Sequence, residues 1–216
     1  MELNETMISE LVARVVGEMR ARSEGEPDIP IGVSNRHIHL TQADVETLFG
    51  EGYQLEKIKD LKQPGQYACR ETLTIVGPSM RPIEGVRVLG PVRRASQVEI
   101  SKTDSFQLKV KPPVRESGVL EGSAPITIIG PRGVVSLPEG CIIANRHIHM
   151  GLSDAARYGV SDGDYVTVDA VGTKRTRWYD VQVRVSADFE LEMHVDTDDA
   201  NAAGIGNGTL VSIVKE

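Results

Sequence analysis

The sequence predicts a mainly β chain: two small β-barrel domains with short helices, preceded by an N-terminal amphipathic helix. Three observations carry that reading. Short Val/Ile runs are punctuated by 21 Gly and 11 Pro, the signature of many short strands. Aromatic residues are only 4% of the 216 residues, so the core must rest on Val, Ile, Leu and Ala. One string, Asn-Arg-His-Ile-His, occurs at residues 35–39 and again at 145–149, an internal repeat.

The amphipathic helix is expected over residues 3–19. Leu3, Met7, Ile8, Leu11, Val12, Val15, Val16 and Met19 recur at helical spacing, and Asn4 or Thr6 offers a capping oxygen. The polar stretch from Ala21 to Pro30, with Gly25 and Pro27, reads as a linker. An apolar stripe tethered outside the main body needs a surface to bury against: the protein's own, a dimer partner's, or that of another protein for which it is a docking peptide.

The rest reads as strands and turns. Gly77-Pro78, Gly90-Pro91 and Gly130-Pro131 end the runs Leu73 to Val76, Val86 to Leu89 and Ile126 to Ile129, because Gly frees the backbone for a turn and Pro cannot continue a central strand. Ser161-Asp162-Gly163-Asp164 reads as a tight turn into the strand from Tyr165 to Val168.

A weaker repeat runs beneath the strong one. His39, Glu99, His149 and His194 are each followed five positions later by an aspartate: Asp44, Asp104, Asp154 and Asp199. Each time a strand is expected to run into a Thr/Ser/Asp helix cap and a short helical turn. Four such half-units, paired two by two, make two domains. Small closed barrels are the natural architecture, since closure removes exposed edges.

These half-units also carry the chemistry. Alternate residues of a strand face the same way, so His37 with His39, and His147 with His149, each aim two imidazoles at one side, their Cα atoms roughly 6.5–7 Å apart. Around His194 the alternation puts Leu191, Met193 and Val195 on one face, and Glu192, His194 and Asp196 on the other. Glu99 likewise lies opposite Val98 and Ile100. Five imidazoles and one carboxylate suit zinc or a related divalent ion. Six ligands exceed one tetrahedral site, so two metals with open positions fit better. Cupins also use His-x-His but follow it closely with Glu, which this chain does not.

Arg36 and Arg146, if on strands, would point away from the histidines and read as structural or peripheral. Arg93 and Arg94 precede the Glu99 strand, and an arginine fork beside a cationic site suits an oxyanion such as phosphate. No Gly-rich phosphate loop and no Ser or Cys nucleophile beside a histidine is apparent, so the chemistry should be metal-centred.

Composition excludes several partners. The net charge of −7, with no basic stripe, argues against nucleic acid. No apolar run approaches the roughly 20 residues of a membrane span, and the N-terminus lacks the features of a secretory signal. Cys69 and Cys141 lie far apart and read as buried or idle thiols of a reducing compartment.

The strings around His37, Glu99, His147 and His194, with Leu61-Lys62-Gln63-Pro64-Gly65-Gln66-Tyr67-Ala68, resemble those of the PduL-type phosphate propanoyltransferases. The resemblance runs from about Ile29 onward. It implies a reversible phosphotransacylase that converts propanoyl-CoA, or another short acyl-CoA, and phosphate to the acyl phosphate and CoA. It implies two barrels with a dinuclear zinc site between them: residues 29–36 plus 145–216 in one, residues 37–144 in the other. Its metal ligands carry over to His37, His39, Glu99, His147, His149 and His194, and its phosphate-contacting arginine to Arg93. Members of the family in bacterial microcompartments carry an N-terminal docking helix, which residues 1–28 resemble. The lumen of a microcompartment, otherwise the cytoplasm, is then the expected location, with shell or lumen proteins as partners of residues 3–19 and a homo-oligomer as the expected assembly. The rival readings are a metal-dependent acyl-CoA hydrolase and a non-catalytic zinc-containing scaffold.

Overall fold

The computed structural model describes residues 28–214. The helix expected over residues 3–19 and most of the linker lie outside these residues. Pro30, read as the linker's end, is instead the second residue of strand β1, Ile29–Ser34. It is tolerated there because pairing to the parallel neighbour begins only at Ile31.

The chain next forms β2 (His37–His39), α1 (Gln42–Phe49), β3 (Lys57–Asp60), β4 (Tyr67–Val76), β5 (Pro82–Gly90), β6 (Gln97–Glu99), α2 (Lys102–Leu108), β7 (Val114–Arg115), β8 (Ala124–Ile129) and β9 (Val134–Ala144). It continues with β10 (His147–Met150), α3 (Leu152–Tyr158), β11 (Tyr165–Ala170), β12 (Thr176–Val185), β13 (Glu192–Asp196), α4 (Thr197–Ala203) and β14 (Leu210–Ile213). The mainly β class stands, and the three Gly-Pro dipeptides fall at or just past the ends of β4, β5 and β8.

Two six-stranded barrels emerge. The first closes in the order β1-β13-β10-β12-β11-β14, with β14 pairing back to β1. The second closes as β4-β5-β2-β6-β9-β8, with β8 pairing to both β9 and β4. The two rings match strand for strand in sense: β10 is parallel to β12 and antiparallel to β13, as β2 is to β5 and β6. Each has its own apolar core. Ile148, Met193 and Val183 belong to the first, and Ile38, Val98 and Val88 to the second.

The chain order differs between the rings. Strand β1, from the opposite end of the chain, fills in the first barrel the place that β9 fills in the second, since β1 lies parallel to β13 as β9 lies parallel to β6. The chain therefore passes between barrels at Asn35-Arg36, from β1 to β2, and at Asn145-Arg146, from β9 to β10. These arginines sit in the connections, not on strands. Arg36 grips Asp104 with two contacts of 2.8 Å, and Arg146 grips Asp199 with two of 2.9 Å.

The five-residue repeat has a simple geometric meaning. The helix cap follows His39, Glu99, His149 or His194 by two positions, and the aspartate is the third residue inside the helix. The caps are Thr41, Ser101, Gly151 and Asp196. Gly151 departs from the expected Thr/Ser/Asp pattern. It has no side-chain oxygen, but Asp154 still accepts its backbone N–H at 3.2 Å.

Candidate metal centre

The middle residue of each His-Ile-His string explains where the flanking imidazoles go. Ile38 and Ile148 are fully buried in the two barrel cores. Alternation therefore turns His37 and His39 out of the second barrel, and His147 and His149 out of the first. The neighbouring strands complete the sets by register: His37 pairs with Glu99 across β2 and β6, and His147 with His194 across β10 and β13.

The structure thus gathers two clusters able to hold a metal ion, His37–His39–Glu99 and His147–His149–His194, each with ligand atoms within 4.8 Å of one another. All six sequence-predicted residues fall in one cluster or the other. Both clusters line one cavity of about 880 Å³ shared by the two barrels, as does Arg93. Arg94, the other half of the expected fork, is exposed and not part of that lining.

The hydrogen bonds set the ring tautomers. His37 Nδ1 lies 2.8 Å from the carbonyl of Asn35, and His147 Nδ1 2.9 Å from that of Asn145. A carbonyl only accepts, so both Nδ1 atoms donate, and in the neutral ring each Nε2 keeps a lone pair directed at its cluster. His147 Nε2 is 3.1 Å from His149 Nε2, close to the separation of two nitrogens on one tetrahedral zinc, roughly 3.3 Å for Zn–N bonds of 2.0–2.1 Å. Buried Nδ1 atoms of His39 and His149 have no hydrogen-bond partner among the described residues.

At His39, Glu99, His147 and His149 the electrostatics favour the forms that bind cations. Burial, reinforced by neighbouring cationic groups, pushes His147 down to about 4 and His149 to about 2. Burial, the charge on His37 and Arg93 likewise lower His39 to about 2. Glu99 would be raised by burial, but the charge and hydrogen bond of His37 hold it well below the carboxylate range. Burial works to lower His37, yet the charge and hydrogen bond of Glu99 raise it above its ordinary value. Neutral imidazoles and an ionised carboxylate are what a divalent ion requires, and this donor set fits zinc.

Side chains that sequence reasoning passed over support the clusters. Gln97 and Ser117 both hydrogen-bond Glu99. Arg184 lines the cavity and meets Glu116 at 3.2 Å. Glu192 Oε2 lies 2.7 Å from His194 Nε2 and occupies space left by Gly32, where a Cβ would stand 2.8 Å from its carboxyl carbon. Strand alternation could have found Gln97 and did place Glu192 beside His194. Nothing local marks Ser117.

Comparisons with known proteins place the chain in a family. A profile of the phosphate propanoyltransferase family matches residues 30–206. The phosphate propanoyltransferase of Thermotoga maritima is 56% identical over 97% of this chain and 100% of its own length. That of Lachnoclostridium phytofermentans is 54% identical over 96% and 97%, and that of Priestia megaterium 50% over 99% of each. With its two ligand clusters on one cavity and this likeness along almost its whole length, the chain belongs to the phosphate propanoyltransferase family.

Proposed function

We propose that the chain transfers an acyl group reversibly between coenzyme A and phosphate, with propanoyl-CoA or another short acyl-CoA as substrate. The carrying observation is the convergence of two three-ligand clusters and Arg93 on one cavity in a chain of this family. The donor set supports two zinc ions per chain, one on each cluster. Bound there, they would supply Lewis acidity toward phosphate and the thioester carbonyl.

The protein's own groups do the rest. Arg93 presents a planar fork that orients phosphate and offsets its charge. A phosphate oxygen attacks the carbonyl carbon, the carbon–sulfur bond breaks, and coenzyme A leaves as thiolate. Phosphate is largely ionised at neutral pH, so no side chain is assigned as a base. Residues 29–36 with 145–216, and residues 37–144, act as the two domains whose seam holds this chemistry. Residues 3–19, through their apolar stripe, dock the enzyme to shell or lumen proteins of a microcompartment.

The test is CoA release from propanoyl-CoA with and without phosphate, beside elemental analysis of untreated protein. Phosphate-dependent release and about two zinc ions per chain are expected. Release that ignores phosphate points to the hydrolase. No release from metal-replete protein points to the scaffold, and less than one metal per chain in active protein removes the dinuclear reading.

A further inference from the structure

We infer that Ser117 is a positioning residue that locks the orientation of Arg93 to the Glu99 ligand cluster. The inference deepens the proposed function, because it rests on Arg93 holding phosphate there.

A hydroxyl has one proton to give and two lone pairs. Ser117 uses all three. Its O–H donates to Glu99 Oε1 at 2.8 Å, while its oxygen accepts from Arg93 Nη1 at 3.1 Å and from Gln97 Nε2 at 2.9 Å. Gln97 also donates to Glu99. The arginine and the carboxylate are thus tied through one oxygen atom, and neither can turn without breaking a bond to it.

The turn that carries Ser117 is itself anchored. Residues 116–119 form a β-turn closed by Val119 N–H to the Glu116 carbonyl at 3.0 Å. Gly118 sits at φ +97°, in the positive-φ position of a type II turn that favours glycine. Its N–H donates to Gln97 Oε1 at 2.8 Å. On the other side Glu116 meets Gln182 and Arg184 of the first barrel. A turn held from both barrels places one hydroxyl between the anion-orienting arginine and a metal-ligand carboxylate. Ser117 lines the cavity and is only partly buried, so replacing it removes hydrogen bonds rather than core.

The experiment compares Ser117→Ala, Ser117→Thr and the wild type as metal-loaded enzymes, with Arg93→Lys and the double variant Ser117→Ala/Arg93→Lys. Loss of the bond to a charged guanidinium should raise the phosphate KM about tenfold, with little change in the acyl-CoA KM. The increase should shrink in the Arg93→Lys background, because the two groups act as one unit. Loss of the support to Glu99 should make one of the two metals roughly tenfold easier to remove by a competing chelator, a readout that needs no substrate. Ser117→Thr, which keeps the hydroxyl, should restore both. Wild-type phosphate KM and metal release in Ser117→Ala overturn the inference. So does full additivity with Arg93→Lys, or a threonine variant that behaves like alanine. If wild-type turnover proves independent of phosphate, the acyltransferase reading fails by itself, and chelator release still judges the link between Ser117 and Glu99.

Discussion

Glu99 and His149 illustrate two ways to keep a buried ligand available. Glu99 stays ionised because His37, Ser117 and Gln97 all favour its charge over burial. His149 stays neutral because burial and its imidazole neighbours oppose a proton. Neither packs into an apolar core, so Glu99→Ala and His149→Ala should each lower activity at least a hundredfold while circular dichroism stays near wild type. An unfolded variant would make the residue structural. Arg93→Lys should raise the phosphate KM more than the acyl-CoA KM, since lysine keeps charge but not the fork. The facing of Glu99 and His149 was legible because a two-residue alternation on a strand fixes which way a side chain points; Arg93, between β5 and β6, was singled out by the family resemblance. Ser117 was not legible: its partners lie 18 to 24 residues away, and Ser-Gly by itself signals only a turn.

Each ligand-bearing strand feeds a short helix, and two of these helices also fasten the connections between barrels. Asp104 and Asp199, at matching third positions of α2 and α4, hold Arg36 and Arg146. The two grips differ in burial: Asp104 is 5% exposed and Asp199 is 22% exposed. Removing the arginine strands a buried carboxylate in the first case and a partly hydrated one in the second. Arg36→Ala should therefore cost about 2 kcal/mol, and Arg146→Ala below about 1 kcal/mol, measured by urea unfolding of the metal-free protein. Equal losses would show that burial does not decide the difference. The five-residue spacing had already marked these helix starts. It missed only that Gly151 caps α3, because the Asp154 side chain can serve that terminus without help from residue 151.

At the scale of the molecule, the buried imidazoles tie stability to pH. In the metal-free protein His39, His147 and His149 sit below the ordinary 6.5, at about 2, about 4 and about 2. A folded value below the unfolded one gives stability that is whole above pH 6.5 and is lost as pH falls toward the folded value. Glu99, also lowered, adds the same sign in the carboxylate range. His37 is raised and acts oppositely, contributing below pH 6.5 and fading as pH rises through its folded value. Below pH 6.5 the His37 contribution is already whole and constant, so Tm of the metal-free protein should fall steadily from pH 6.5 to pH 4 as the three lowered imidazoles lose theirs. A flat profile would contradict the buried-neutral assignment. Residues 1–25 contain none of the proposed ligands. Their removal should leave activity within about twofold, and their fusion to a fluorescent protein should concentrate it in microcompartments of a host that makes them. Loss of activity on truncation, or diffuse fluorescence, would count against docking. Which barrel each strand joins was not visible in periodicity, because β1 and β13 alternate as strands of the second barrel such as β4 do and meet only through pairing across most of the chain.

That pairing has a consequence for how the protein is made. As the chain leaves the ribosome, β1 emerges early, yet its neighbours β13 and β14 begin at Glu192 and Leu210. The strands of the second barrel are all complete by Ala144, so that barrel can close while the first still waits for every stave but β1. Until then β1 is an apolar strand with both edges open, the kind of segment that invites pairing with other nascent chains. The two-residue connection at Asn35-Arg36 keeps it tethered to the already folded barrel, beside the place where its partners must arrive.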